Sequence, residues 1–160
     1  MIIMRIIGGL GNQLFQYAVG RAISIHQNVP LKLDIFDFDT YLLHNGFRLD
    51  QFSIEFQIAS EAEVKLLKGG SGFFGKVTRK LGLKKTYVKE VQNNIFQESV
   101  FNSDQLYLDG YWQNERYFKN IRDHILLDLK LKNNLSPLCL KLMQAIRTNQ
   151  SVGIHVRRGD

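Results

Sequence analysis

Ile2-Ile3-Met4-Arg5-Ile6-Ile7-Gly8-Gly9-Leu10-Gly11-Asn12-Gln13 opens the chain, and its reading decides the fold. Six residues with one charge among apolar neighbours predict a short buried strand. The glycines after it predict a sharp turn, and Leu14, Ala18, Ala22 and Ile25 repeat at helical spacing from about Gln13 to His26. Asn28 and Pro30 close that helix, and Leu31–Ile35 alternates as a second strand. Strand, glycine turn, helix and strand within some 35 residues form the first βαβ unit of a parallel sheet, so the expected class is α/β and Rossmann-like.

The same pattern continues outward. An aromatic, aspartate-rich loop at Phe36–Tyr41 is followed by Ser60 and Glu63, a capping-box pair that starts a helix ending near Gly69-Gly70. Strands are expected near Tyr87–Val91 and Leu106–Tyr111, and a helix from Asn114 to about Leu127. Ser136 and Pro137 suit the N-cap and first position of another helix, to about Arg147. Ser151–Val156 reads as a compact apolar strand running into Arg157-Arg158-Gly159-Asp160. A parallel strand is normally followed by a covering helix, and none is left. The expected organisation is therefore a domain at 1–135, then a linker helix and the first strand of a second domain at 136–160, the remainder missing.

Composition excludes several classes. Of 160 residues, 44% are hydrophobic and 22% charged, an ordinary globular mixture. The single cysteine, Cys139, rules out an internal disulfide and a multi-cysteine metal site, and its leucine neighbours suggest a packing role. The four histidines show no zinc spacing, and no Walker or Gly-x-Ser-x-Gly sequence occurs. No export signal is visible, which points to the cytoplasm. Net charge is +6, but the segment 65–89 alone carries +8 from Lys65, Lys68, Lys76, Arg79, Lys80, Lys84, Lys85 and Lys89, leaving −2 for the rest. With Phe73, Phe74, Val77 and Leu81 on one side of a short helix, this segment could rest on an anionic inner-membrane surface; the plainer reading is a surface helix docked on the core. Nucleic acid is not an expected partner, since the patch has no recognition motif beside it.

Two motifs could carry chemistry. In the glycine turn, Gly9, Gly11 and Asn12 sit where free amides and the positive end of a helix dipole favour an anion. Gly9, Gly11 and Asp34 also fit part of a dinucleotide fingerprint, but its third glycine is replaced by Leu14. An NAD(P)-dependent Rossmann oxidoreductase is the alternative reading on that basis. In the second motif, His155 and Arg157 share one side of the last strand near its carboxyl end, where open α/β sheets bind ligands. Arginine holds two phosphate oxygens at once and stays charged. Asp37 and Asp39 are close enough in sequence to suggest a divalent metal, but the pattern is short, and no metal is assigned.

Three segments resemble the α-1,2-fucosyltransferases, an inverting glycosyltransferase family. Gly8–Ala18 is similar to the family's opening signature, Asp109–Phe118 to its central aromatic segment, and His155–Asp160 is its His-x-Arg-Arg-x-Asp motif. The resemblance spans the chain and implies a GT-B-type enzyme of two Rossmann-like domains facing a cleft, the first on the acceptor side and the second binding the donor, cut here at the start of the second. It implies transfer of L-fucose from GDP-fucose, without a metal or other cofactor, to a glycan hydroxyl such as O2 of a terminal galactose. It further implies that Arg157, with Asp160, serves catalysis at the pyrophosphate. His155 and Arg158 would lie nearby, with Gly9, Gly11 and Asn12 approaching from the first domain. Trp112 would stack on the acceptor, which is lipid-linked in the membrane reading, while Tyr111, Tyr117 and Phe118 are expected mainly to pack. The fragment alone is expected to have negligible activity.

Overall fold

The computed structural model describes residues 1–40, 46–54, 56–69, 77, 85–92 and 95–156. They fall into two compact units, Met1–Lys130 and Leu131–Asp160.

In the first unit, β1 (Ile2–Arg5), β2 (Leu31–Asp34), β3 (Gln57–Ile58), β4 (Tyr87–Lys89) and β5 (Leu106–Asp109) form one sheet in the order β3-β2-β1-β5-β4. Every pairing is parallel, with Arg5 opposite Asp34 and Met4 opposite Leu108. A parallel sheet buries both faces, which is why its central strands are apolar almost throughout. Alternation along β1 divides its side chains between two cores. Ile2 and Met4 pack with Tyr17, Ala18 and Ile23 of α1 (Leu10–Gln27). Ile3 faces the other way, joining Tyr107, Ala59 and Leu67 of α2 (Glu61–Lys68). Helices thus cover opposite faces, giving the Rossmann-like α/β fold read from the sequence.

The helix α1 starts at Leu10, earlier than the sequence pattern suggested, because Gly8 (φ 77°) makes the whole turn and Gly9 is already the N-cap. Gly11 and Asn12 consequently lie in the first helical turn. Close helix–sheet approach is supplied by Gly20 rather than by a glycine at the position of Leu14: a Cβ at Gly20 would come within 2.8 Å of Leu31 Cδ1 and 3.3 Å of Met4 Cβ. The capping box forms as expected, Ser60 Oγ accepting from Glu63 N and Glu63 from Ser60 N. Strand β5 ends at Asp109, short of Tyr111, because the chain turns at Gly110, where a Cβ would meet Glu90 Cβ at 2.4 Å. The helix expected from Asn114 is broken into 3-10 turns at Glu115–Tyr117 and Lys119–Ile121, then α3 (Arg122–Asp128).

In the second unit, α4 (Pro137–Thr148) begins as expected, with Ser136 Oγ accepting from Cys139 N at 3.2 Å. Two expectations fail here. Cys139 is exposed, as are Leu138, Leu142 and Ile146, so its leucine-rich surroundings are not a packed core. Ser151–Val156 is not a strand: it has no regular structure, and Val152 and Ile154 are 88% and 83% exposed. A two-face-buried strand needs ladder neighbours on either side, and none pairs with this segment among the described residues.

Candidate functional site

Strand β1 lies between β2, which follows it directly, and β5, far downstream. At such a switch point the connections diverge and leave a crevice at the carboxyl ends of the strands. Three charged residues stand there at the ends of three adjacent strands: Asp34 on β2, Arg5 on β1 and Asp109 on β5. Arg5 Nη1 donates to Asp109 Oδ1 at 2.7 Å, and Arg5 Nε to Asp37 Oδ2 at 2.7 Å. The guanidinium thereby ties the loop after β2 to the end of β5. Asp109 Oδ2 accepts from Tyr87 OH at 2.7 Å, and Asp34 Oδ2 from Tyr107 OH at 2.5 Å. Lys68 Nζ donates to Tyr107 OH at 3.1 Å.

The electrostatics follow from these contacts. Burial works against charge on Arg5, but the hydrogen bonds to Asp37 and Asp109 outweigh it and its pKa is raised. Burial likewise opposes ionisation of Asp109, yet Tyr87 and Arg5 hold its carboxyl below the usual range. Tyr107 is pushed up, first by burial and then by its bond to the Asp34 carboxylate.

Above this network opens a cleft of about 300 Å³. Arg5, Asp37, Thr40 and the Gly8 backbone form its polar side, and Phe38 and Tyr111 its aromatic walls. Its rim is fastened by two fully buried glutamines from α1. Gln16 accepts from Ile7 N at 3.0 Å and donates to Gly110 O at 3.0 Å, linking the ends of β1 and β5. Gln13 donates to Gly8 O and Gly46 O and accepts from Arg48 N, each at 2.9 Å. Much of the Gly8–Ala18 signature is therefore loop-fastening hardware.

Three sequence candidates lie at the start of α1, beside the cleft and not among its lining residues. Gly9 caps α1, Asn12 Oδ1 accepts from Gln113 Nε2 at 2.6 Å, and a Cβ on Gly11 would have no neighbour within 4 Å. The first turn of α1 holds no acidic residue. His155 is exposed in the irregular segment of the second unit. Arg157, Arg158 and Asp160 lie outside the described residues, as does most of the basic segment 65–89.

Trp112 requires a correction. Its side chain is fully buried, edge-on to Tyr117 with centroids 5.8 Å apart, so its face is not offered to an acceptor. A left-handed backbone at Trp112 (φ 57°) after the Gly110 turn sends the indole inward, while Tyr111 is 37% exposed and lines the cleft. The two neighbours exchange the roles expected of them. Asp37 is engaged by Arg5, and among the described residues no cluster of three or more metal-ligating side chains occurs. Asp34, the acid that fits part of the dinucleotide fingerprint, is buried, with Tyr107 OH on one oxygen and Phe36 N on the other. The sequence reading missed Arg5 and Asp109 as site residues. The signal was there in Arg5, a lone charge inside an apolar strand.

These features define a Rossmann-like domain with a cleft at the carboxyl ends of its strands. Residues 80–160 match the family model Glycosyl transferase family 11. The chain is 33% identical over 168 residues to an Alpha-1,2-colitosyltransferase of Escherichia coli, covering 100% of this chain and 55% of that protein. It thus spans about half the length of this relative. No solved structure matches it. The chain belongs to glycosyltransferase family 11, the family of α-1,2-fucosyltransferase type. Family membership displaces the oxidoreductase reading. No described helix is long and apolar enough to cross a membrane.

Proposed function

We propose that the complete protein transfers L-fucose from GDP-fucose to O2 of a terminal galactose in a glycan, with inversion, as a galactoside α-1,2-fucosyltransferase. The observation that carries this is the family match over 80–160, which takes in the His-x-Arg-Arg-x-Asp motif. In this reading Ser151–Val156 becomes the first strand of a donor-binding domain completed by further chain, which would cover its exposed apolar side chains.

Breaking the bond from fucose C1 to phosphate leaves negative charge on GDP and positive charge on the ring. Arg157, with His155, Arg158 and Asp160 around it, stabilises the departing diphosphate as its charge grows. The amino end of α1, with Gly9, Gly11 and Asn12, approaches from the first domain. Fixed cationic groups supply the neutralisation, so the reaction needs neither a divalent metal nor a cofactor. The acceptor hydroxyl attacks from the opposite face.

In the complete enzyme Arg157→Ala should lower turnover about 10²–10³-fold, as removal of a preorganised charge does, with the fold intact. Near-normal turnover sinks the assignment. The name of the Escherichia coli relative, an Alpha-1,2-colitosyltransferase, favours a second reading, in which the transferred group is colitosyl. Competition between fucosyl and colitosyl donors in one reaction separates the two.

Membrane association through 65–89, near a lipid-linked acceptor, is a subsidiary proposal. Absence of binding to anionic liposomes at low salt would end it.

A further inference from the structure

A second recess, of about 380 Å³, opens on the first unit toward the far end of α1. Ile25 and His26 in the last turns of α1 form one wall, and Phe101, Tyr117 and Ile121 of the 3-10 turns form the other. At a helical rise of about 1.5 Å per residue it lies on the order of 20 Å along α1 from the Gly8–Gly9 turn. The transfer chemistry derived above makes no use of it.

Its floor is aromatic. The ring centroids of Phe96, Phe101 and Tyr117 stand 4.8, 6.3 and 6.4 Å apart in pairs. A flat ring sandwiched between two others needs roughly 7 Å, twice a van der Waals contact. A ligand therefore lies on the outside of this cluster, with one face covered. Tyr117 OH is spent inward, accepting from Gln97 N at 2.8 Å and donating to Ile95 O at 3.2 Å, so its ring alone is offered. The rim is polar and balanced in charge. Arg116 is held 4.5 Å over the Phe96 ring, and Glu98 supplies an opposite charge on the same rim. Asn102 and Asn120 are exposed there, and among the described residues their side-chain amides make no hydrogen bond within the protein. Balanced charge gives a polyanion no advantage, and covering free amides with a purely apolar group would strip their water without replacing it. A neutral ring with a C–H face and hydroxyls round its edge satisfies both the floor and the rim.

We infer that this recess is a second carbohydrate site, remote from the crevice at the strand ends. It holds one sugar residue of a glycan, with the C–H face on Phe96 and Phe101 and the hydroxyls on Asn102, Asn120 and Glu98. Its use in a glycosyltransferase rests on the family assignment and not on the choice of donor. A glycan long enough to reach both places is retained at a raised local concentration.

The test follows the isoleucine methyl signals of the complete enzyme by NMR, without donor. Ile25 and Ile121 line the recess and Ile7 the crevice, so the two places report separately. Lactose, N,N′-diacetylchitobiose and methyl α-L-fucoside are titrated in turn, with guanosine beside them as a flat ring. At least one sugar should shift Ile25 and Ile121. Its affinity at those signals should fall about five-fold or more in Asn102→Ala and in Asn120→Ala, with the response of Ile7 unchanged. Asn120→Trp, which fills the recess, should abolish the shift. Silence of Ile25 and Ile121 with every sugar, shifts with guanosine but with no sugar, or shifts unaltered in the variants would overturn the inference. Both asparagines are exposed, so their alanine variants decide the matter even where Asn120→Trp does not fold. An enzyme that ignores GDP-fucose would refute the donor assignment and leave this site standing, since no donor enters the titration.

Discussion

Arg5 Nη1 lies 2.7 Å from Asp109 Oδ1, joining the first strand of the chain to the strand that pairs beside it a hundred residues later. Their side chains are only 27% and 12% exposed, and the same guanidinium reaches Asp37. Removing one partner of a buried pair leaves the other charge uncompensated. Arg5→Met should therefore cost about 3 kcal/mol, the low end for such losses because Asp37 keeps contact with water. Arg5→Lys should retain part of the stability, since one ammonium cannot serve both carboxylates in the forked geometry. Urea unfolding measures both; equal stability of Arg5→Met and the parent would show that the pair contributes nothing.

Gly20 offers a test of packing. Alanine is better than glycine in a helix by about 1 kcal/mol, so Gly20→Ala on an open helix face would stabilise. Here the added methyl meets Leu31 Cδ1, which can swing away, and Met4 Cβ, which cannot. Overpacking costs about 1–3 kcal/mol, giving a net loss of roughly 1 kcal/mol for alanine and a larger one for leucine. A rise in melting temperature for Gly20→Ala would refute the close contact.

Tyr17 and Tyr107 set the alkaline limit. Both are pushed above the ordinary tyrosine range, first by burial and then by their hydrogen bonds to Asp128 and Asp34. Below pH 10 these phenols are protonated whether the chain is folded or not, and their contribution is complete. Above pH 10 the unfolded chain sheds those protons while the folded one keeps them, so stability falls as pH rises, by roughly 1.4 kcal/mol per pH unit for each group. Absorbance titration of the six tyrosines should show a late fraction that ionises together with loss of circular dichroism. Smooth ionisation of all six near pH 10 in the folded protein would contradict this.

At the acid end the capping box of α2 is the reporter. Glu63 is pulled down to about 2 by Lys32, which donates to it at 2.5 Å, and by the Ser60 backbone and hydroxyl. A depressed carboxyl contributes stability above its ordinary pKa of 4.5, and loses it as pH falls from there toward 2. Glu63→Gln should flatten that part of the pH profile. Ser60→Ala should cost about 1 kcal/mol, as loss of an N-cap does. A profile between pH 4.5 and 2 unchanged by Glu63→Gln would remove the carboxylate from the account.

Much of the fold was legible because local chemistry and tertiary role agree in it. The glycines after β1, the Ser60–Glu63 box and the Ser136–Pro137 start are short-range signals, and each lies where it was read. What escaped depends on distant partners. Arg5 looks like an interruption in an apolar strand until Asp109 is placed next to it. Trp112 and Tyr111 cannot be told apart by alternation, because the left-handed backbone at Trp112 resets which side each faces. Ser151–Val156 has a strand's composition, but composition supplies no neighbours.

The central position of β1 bears on how the chain is made. Residues 1–34 can assemble their strand–helix–strand unit as soon as they leave the ribosome, yet the other edge of β1 stays open until residues 106–109 arrive. Until then an apolar ribbon with unpaired backbone amides is available to any passing extended segment. Synthesis that pauses between these points would favour aggregates, and co-translational chaperones would have most to protect in that interval.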